Sequence, residues 1–499
     1  MSLTGFGRVF LWGDHPKAVS YNHVSWLFLR ILALIYLIAF VSLWVQLEGL
    51  IGDRGILPVG DYLNAISTQM GGERFFLLPT LSWFMPDGLG LHLLCACGCF
   101  CSILLLANIF SGPCLFLNWA CYLSLAGSAQ VFLGFQWDNL LLEAGFLAMF
   151  LAPWRFKPRD SGTPSIIIIW LYRLLLFRLM FCSGMAKILS GDLTWENLTA
   201  LTVHYQTQPL PTWIGWMAHQ MPESFHRWSA GGMFLIELAV PFLIFLPRRP
   251  RALAFFLFFG LMVLIIMTGN YTFFNWLTMA ISMFLLDDEM FDAALPKSLR
   301  PEKSDSGKLA LWRWVVHGGV AVLIILVSAS QMATMFGTSP APIKALERAV
   351  SPFRSVNSYG LFAVMTQKRY EIVFEGSGDG KTWLPYEFKF KPDKLSKRPA
   401  FVAPHQPRLD WQMWFAALGD FNQSPWLQPL MKGLQEGNPH ILDLMGKNPF
   451  QKQPPRYLRA MLYQYHFTNW ETRANTGQWW RRQVPVAYGP VLDGNPLQE

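Results

Sequence analysis

Long apolar runs constrain the fold of this chain more than any other feature of its sequence. A helix of about 20 apolar residues crosses the hydrocarbon core of a bilayer. Such runs lie near residues 24–47, 89–111, 114–134, 138–153, 165–189, 229–246, 252–269, 272–286 and 309–331. They predict an α-helical polytopic membrane bundle of about nine spans, which forms a transmembrane domain over residues 1–335.

The composition agrees with a membrane domain followed by a domain outside the membrane. Charged residues make up 14% of the 499 residues and apolar residues 53%, whereas a soluble domain contains about 25% charged residues. Charges are sparse in the first two thirds of the chain and ordinary after that. The formal net charge is +8, but no nucleic-acid-binding motif accompanies the basic residues, so we exclude nucleic acid as a partner.

Basic residues in two short loops predict the orientation. The loops 154–160 (WRFKPRD) and 247–251 (PRRPR) each contain three Lys or Arg residues, and such loops stay on the cytoplasmic side. The first fifteen residues lack the apolar segment of a signal peptide, so the first span is expected to direct membrane insertion. We therefore expect a cytoplasmic N-terminus. Residues 336–499 then lie on the opposite side of the membrane, in a lumen or in the periplasm.

The seven cysteines all fall in predicted spans, and four of them form the run CACGCFC at 95–101. Helical residues two apart point about 200° away from each other, so the four thiols of this run cannot converge on one metal ion. We interpret them as small residues packed between helices. The sequence therefore predicts no metal site, and it indicates no cofactor.

The C-terminal segment has a different pattern. Residues 368–391 contain two alternating stretches around SGDG, which predicts a β-hairpin. Segments 407–418, 425–446 and 454–464 are predicted to be helical. Together they predict an extramembrane α+β domain over residues 336–499, with a hairpin or sandwich-like β element.

Seven tryptophans are many for a domain of this size, and six of them lie after residue 400. We expect them to form its core, or alternatively a surface that binds an apolar client or the membrane interface. These six are Trp411, Trp414, Trp426, Trp470, Trp479 and Trp480.

Ionisable groups inside predicted spans are costly and therefore mark candidate functional positions. Six candidates of this kind are Arg173, Arg178, Lys187, Asp138, Glu143 and Glu237. Their estimated depths in the bilayer predict two interhelical pairs, Arg178–Glu237 and Lys187–Glu143. Such pairs either fix the helix packing or line a polar functional cavity.

Several long segments resemble the lipase maturation factor family over nearly the whole chain. They are GDRGILP at 52–58, FQWDNLLLEAGFLA at 135–148, LFRLMFCSGMAKILSGDLTWENLTAL at 176–201, HYQTQPLP at 204–211, GNYTFFNWLTM at 269–279, SPFRSVNSYGLFAVM at 351–365 and FVAPHQPRLDWQMWFAALG at 401–419. The resemblance implies a multispan protein of the endoplasmic reticulum membrane, with a lumenal C-terminal domain. It also implies a role in folding secreted lipases into active enzymes.

The chain carries none of the common catalytic motifs. It has no G-x-S-x-G nucleophile elbow, HExxH, CxxC or P-loop, so it is not an obvious lipase. A folding factor for secreted lipases, or for other secreted clients, needs a binding surface instead.

The densest family-like segments supply candidate client-binding residues. They are Asn357, Tyr359, Phe362, Arg408, Asp410, Trp411, Trp414, Phe415, Gln208 and Pro209. The alternative is structural, with Arg408 and Asp410 as a local pair and the aromatic residues as core.

A second resemblance leaves other functions open. LFLRI before GDRGILP, together with GMAKILSGDLTW at 184–195, is similar to the membrane domain of vitamin K-dependent carboxylases. It implies a membrane enzyme that acts on a quinone-like or lipid substrate, with Lys187 as its base. Lys187 could equally extend to the membrane interface. A transporter or lipid-handling protein that uses the intramembrane charges is a third function class.

Overall fold

The computed structural model describes residues 19–156, 163–292 and 310–494. The N-terminal segment and parts of the loops at 154–160 and 287–308 lie outside these ranges. In the described residues, each predicted span contains a helix. The bounds are α1 Asn22–Trp44, α2 Gly88–Leu106, α3 Ser111–Ser128, α4 Gln136–Leu151, α5 Ile166–Leu189, α6 Glu223–Phe245, α7 Arg248–Thr268, α8 Phe274–Leu285 and α9 Leu311–Phe336.

The structure does not confirm nine spans. Among the described residues, six helices are long and apolar enough to cross a membrane, namely α1, α2, α5, α6, α7 and α9. Helices α4 and α8 are shorter than a bilayer crossing requires. Most residues of α4 are buried inside the protein. A helix can therefore be apolar because other helices surround it, and hydropathy does not distinguish this from contact with lipid.

Helix packing brings the first four helices into a row. Helix α1 lies along α2, α2 along α3, and α3 along α4, while α5 contacts α4, α6, α8 and α9. A Cβ atom at Gly98 would lie 2.3 Å from the Phe40 ring, so a larger residue there would separate α1 from α2. Shorter helices connect and extend the bundle at Leu47–Ile51, Val59–Met70, Arg74–Leu77, Leu193–Glu196, Ala200–Thr207, Trp213–His219, Asp288–Asp292 and Ala341–Val350.

The cysteines lie on these helices as free thiols. All seven are unpaired with one another, and five are buried. Within the described ranges, no group of three or more His, Cys, Asp or Glu side chains could hold a metal ion.

Helix α6 is irregular in its second half. Its α-helical part ends at Phe234, a π-helical turn follows at Leu235–Ala239, and a 3-10 segment completes it at Val240–Phe245. Pro241 cannot donate a backbone hydrogen bond, which favours a change of helix type here. Because π-turns often accompany functional sites, the position of Glu237 on this turn is informative.

The C-terminal region contains the strands β1 Arg369–Ser377, β2 Leu384–Pro385, β3 Glu387–Phe388, β4 Met445–Lys447, β5 Tyr457–Phe467, β6 Trp480–Arg482, β7 Val486–Ala487 and β8 Leu492–Asp493. The predicted hairpin exists as the short β1–β2 pair. However, β1 pairs along its full length with β5, antiparallel, from Arg369↔Tyr465 to Ser377↔Tyr457. Strands β6, β7 and β8 also pair with β5, which is therefore the centre of the sheet.

The prediction of a helix at 454–464 is wrong, because this segment is strand β5. Strand β5 buries Leu458 and Ala460 in the main core, but Tyr463 and Tyr465 in a second cluster. The buried face therefore changes within the strand. The regular alternation of apolar and polar residues that predicts a strand is consequently interrupted in the sequence.

The other predicted helices of this region are present in shortened form. They are Arg408–Ala416, Leu427–Glu436 and Pro439–Leu442, and a last helix lies at Trp470–Thr476. Residues 445 and 446 at the end of the predicted 425–446 helix belong to β4 instead. Five of the six tryptophans are buried, whereas Trp470 is 52% exposed.

Candidate functional site

Buried arginines join the C-terminal region to the helix bundle. Arg178 of α5 contacts Glu143 of α4, with Nη1 and Oε1 2.9 Å apart. Arg178 also donates to the backbone oxygen of Asn357. The second oxygen of Glu143 accepts from the Asn357 backbone N–H at 2.9 Å and from the Tyr359 hydroxyl at 2.8 Å. The segment that follows Ala341–Val350 is therefore held inside the bundle by charge-assisted hydrogen bonds.

A second ion pair binds the helix that begins at Arg408. The Arg408 guanidinium lies 3.2 Å from the Asp138 carboxylate, and both side chains are fully buried. Tyr122 donates to the same carboxylate oxygen at 2.5 Å. The other Asp138 oxygen accepts the backbone N–H groups of Gly134 and Phe135 at the start of α4. Asp138 therefore caps one helix and anchors another.

The third anchor is Arg369 at the start of β1. Its guanidinium donates to the backbone oxygens of Gln206, Gln208 and Pro209. The loop HYQTQPLP is therefore fixed against the C-terminal sheet by its own main chain.

Most of the predicted client-binding residues form this junction. Tyr359, Arg408, Asp410, Trp411, Trp414, Gln208 and Pro209 are buried, and Asn357 and Phe362 are half-buried. A buried side chain cannot contact a client in this conformation. Phe415 is the exception, at 43% exposure.

The expected local pair of Arg408 and Asp410 does not form. Asp410 instead accepts the backbone N–H groups of Phe390 and Lys391 at 2.9 and 2.8 Å. Burial raises the pKa of Asp410.

The predicted intramembrane pairs are also wrong, because the partners are exchanged. Arg178 contacts Glu143, and the Lys187 ammonium lies 2.7 Å from the Glu237 carboxylate. Arg178 and Lys187 are nine residues apart, which places them about 180° apart around α5. The depth of a residue in the bilayer does not show towards which neighbouring helix its side chain points. Arg173 donates to the backbone oxygen of Phe284 and to the Tyr21 hydroxyl.

A cavity of about 730 Å³ lies between the bundle and the C-terminal region, and Lys187 and Glu237 line it. Helices α5 and α6 approach closely here, since a Cβ atom at Gly184 would lie 2.8 Å from Leu238. The Lys187 ammonium also lies 5.6 Å from the centre of the Trp195 ring. The volume is within the range of about 300–1,000 Å³ that ligand pockets occupy.

Two further polar side chains face each other in this cavity. His204 Nε2 lies 3.2 Å from the Tyr271 hydroxyl, which donates to Gln208 at 2.7 Å. Burial, and then the nearby Lys187 charge, lower the pKa of His204 from 6.5 to about 4. His204 is therefore neutral at pH 7. His204 and Tyr271 were not among the predicted site residues, although they lie in the family-like segments HYQTQPLP and GNYTFFNWLTM.

The remaining wall is mainly aromatic and aliphatic, with side chains from both parts of the chain. Trp411, Trp414 and Phe362 come from the C-terminal region, and Met262 and Ile265 come from α7. Such an enclosure can hold an apolar or amphiphilic group next to an ion pair, a neutral imidazole and a phenol.

Comparisons with known proteins match both parts of the chain. A family model described as "Lipase maturation factor transmembrane domain" matches residues 23–293, and one described as "Lipase maturation factor C-terminal domain" matches residues 355–490. No solved structure matches the chain.

Curated relatives are similar over nearly the whole chain. Lipase maturation factor 2 of Gallus gallus is 39% identical, over 94% of this chain and 81% of the relative. Lipase maturation factor 2 of Homo sapiens is 37% identical, over 95% and 83% respectively. Lipase maturation factor 1 of Bos taurus is 32% identical, over 94% and 89%.

Proposed function

This chain belongs to the lipase maturation factor family, and we propose that it is a membrane-bound maturation factor for secreted lipases or similar secreted clients. The observation that carries the proposal is the match of both family models, in order, to the two structural parts. The buried arginine anchors support it further, because they hold the C-terminal region rigidly on an integral membrane bundle.

The orientation inferred from the basic loops is part of the proposal. Arg248 and Arg251, at the N-terminal end of α7, form salt bridges with Asp287. The opposite end of this helix meets the C-terminal region, where Asn270 donates to the backbone oxygen of Ala400. With this basic end in the cytoplasm, we propose that residues 336–499 lie on the other side of the membrane. In a eukaryote this is the lumen of the endoplasmic reticulum.

The client surface is proposed to lie around the exposed Phe415. Phe225, Val364 and Leu418 are also exposed, and they line the same cavity as Phe415. An exposed cluster of large apolar side chains suits the apolar surface of an incompletely folded protein.

The test is complementation in cells that lack the gene for this protein. The full chain should restore the specific activity of secreted lipases, and Phe415→Ser should lower it several-fold at unchanged levels of both proteins. Val484→Ser is the matched control, because Val484 is 89% exposed but lies elsewhere. Equal lipase activity with and without the full chain would contradict the maturation role.

A membrane enzyme remains the second candidate function, because Lys187 lines a cavity of ligand size. Its substrate would be quinone-like or a lipid, and Lys187 would act as the base. Lys187→Arg keeps a positive charge opposite Glu237 but removes a group that can deprotonate. Full complementation by Lys187→Arg would exclude this candidate.

A further inference from the structure

The cavity reaches the surface of a helix that can span a membrane. Leu264 of α7 is 62% exposed and lines the cavity, while its neighbours Leu261 and Met262 are buried and line it too. The cavity therefore extends from the lateral surface of α7 to the ion pair inside. A molecule from the bilayer can enter this way without crossing water.

The cavity carries no net charge at neutral pH. Among the described residues, the charged side chains that line it are Lys187 and Glu237, which neutralise each other at 2.7 Å. His204 is neutral, as shown above. A charged head group would have to break the ion pair or remain buried without a partner, and both cost free energy. The wall therefore favours an uncharged ligand.

Two buried polar atoms in the wall lack partners. The indole N–H of Trp411 and the side-chain oxygen of Gln136 have no hydrogen-bond partner in the part of the chain that the structure describes. Both residues line the cavity, and Trp411 is 3% exposed. Unpaired buried polar groups are rare in folded proteins and indicate a bound partner such as a ligand or water. The ligand should therefore offer both an acceptor and a donor.

We propose that this cavity binds one uncharged glycerolipid of the diacylglycerol class. An ester carbonyl accepts the Trp411 N–H, the free hydroxyl donates to Gln136, and acyl chain lies along Met262 and leaves past Leu264. This ligand combines an uncharged head, both hydrogen-bonding functions and a route from the bilayer. The inference goes beyond the maturation role, which requires a client surface but no bound lipid.

The test uses the full chain in phosphatidylcholine nanodiscs with a diacylglycerol that carries a diazirine in one acyl chain. After irradiation, we expect label in peptides of α7 and of residues 411–418. Excess unlabelled diacylglycerol should reduce the label at least fivefold, whereas equal amounts of phosphatidic acid or oleic acid should not.

Variants locate the site. Ile265→Trp fills the cavity and should reduce labelling at least fivefold. Phe256→Trp is the matched control, because Phe256 lies on the same helix, is 65% exposed and does not line the cavity. Trp411→Phe keeps an aromatic ring but removes the donor, and should weaken competition by unlabelled diacylglycerol about fivefold.

Two results would overturn the proposal. One is unchanged labelling of Ile265→Trp together with unchanged competition by unlabelled diacylglycerol in Trp411→Phe. The other is competition by phosphatidic acid as effective as that by diacylglycerol. Neither measurement involves a lipase, so failure here leaves the complementation test of the maturation role independent.

Discussion

The buried Lys187–Glu237 pair allows the stabilising and functional roles of charge to be separated. Lys187→Met leaves the Glu237 carboxylate, which is 7% exposed, without its cationic partner. Glu237→Leu leaves the ammonium in the same situation. The double variant replaces both charges with apolar side chains of similar length.

The expected energies differ strongly between these variants. Breaking a buried ion pair from one side costs about 3–5 kcal/mol, whereas replacing both partners is often neutral or stabilising. Lys187 also adjoins a cavity of about 730 Å³. Water in this cavity can solvate the remaining charge, so we expect single variants near the lower limit, at about 3 kcal/mol. The double variant should lie within about 1 kcal/mol of the native protein.

The assay combines stability and function on the same proteins. Thermal unfolding in detergent should give a lower apparent melting temperature for each single variant and a nearly native one for the double variant. Complementation of lipase activity should follow stability if the pair only holds α5 against α6. A Glu237→Gln protein with native melting behaviour and native activity would refute the stabilising role. A stable but inactive double variant would instead favour the enzyme.

Three further predictions concern the anchors, the pH dependence and the helix packing. Arg408→Met should destabilise the protein by about 3–5 kcal/mol and expose the C-terminal region to limited proteolysis, whereas Lys432→Met, at a side chain 73% exposed, should do neither. Burial, followed by the charges of Arg408 and Lys389, lowers the pKa of His405 from 6.5 to about 4. Folding therefore disfavours protonation of His405, so the stability is highest above pH 6.5 and decreases as the pH falls towards 4, by about 3 kcal/mol, and His405→Asn should reduce this slope of the melting temperature against pH. Gly98→Leu should lower the melting temperature because its side chain would occupy the position of the Phe40 ring.

The helices were predictable from local sequence, whereas the sheet was not. A span such as Ile166–Leu189 is determined by the residues within it, since apolar composition and length suffice. Strand β5 depends on β1, whose residues lie about 90 positions earlier in the chain. Its Leu, Ala, Arg and Met residues also favour helices intrinsically. Pairing with the distant strand β1 overrode this helical preference, and no local sequence pattern predicts which distant strand will pair.

The predicted ion pairs were wrong for a related reason. Depth along each helix follows from counting residues, but the neighbour on each side of α5 depends on the three-dimensional packing. Once the 180° separation of Arg178 and Lys187 is considered, both cannot face the same helix. The predicted pairs already assigned the two cations to different helices, but the sequence did not show which of α4 and α6 lies on which side of α5.

Several of the family-like segments contribute residues to the same cavity, which gives them a common structural role. Lys187 and Glu237 belong to the bundle, Trp411 and Phe362 belong to the C-terminal region, and HYQTQPLP contributes His204. None of these segments encloses the space alone, so the enclosure exists only while the arginine anchors hold the two parts together. This argues against a modular arrangement in which the C-terminal region binds clients and the bundle merely attaches it to the membrane. Loss of an anchor such as Arg408 should consequently affect the cavity and the exposed rim at Phe415 together.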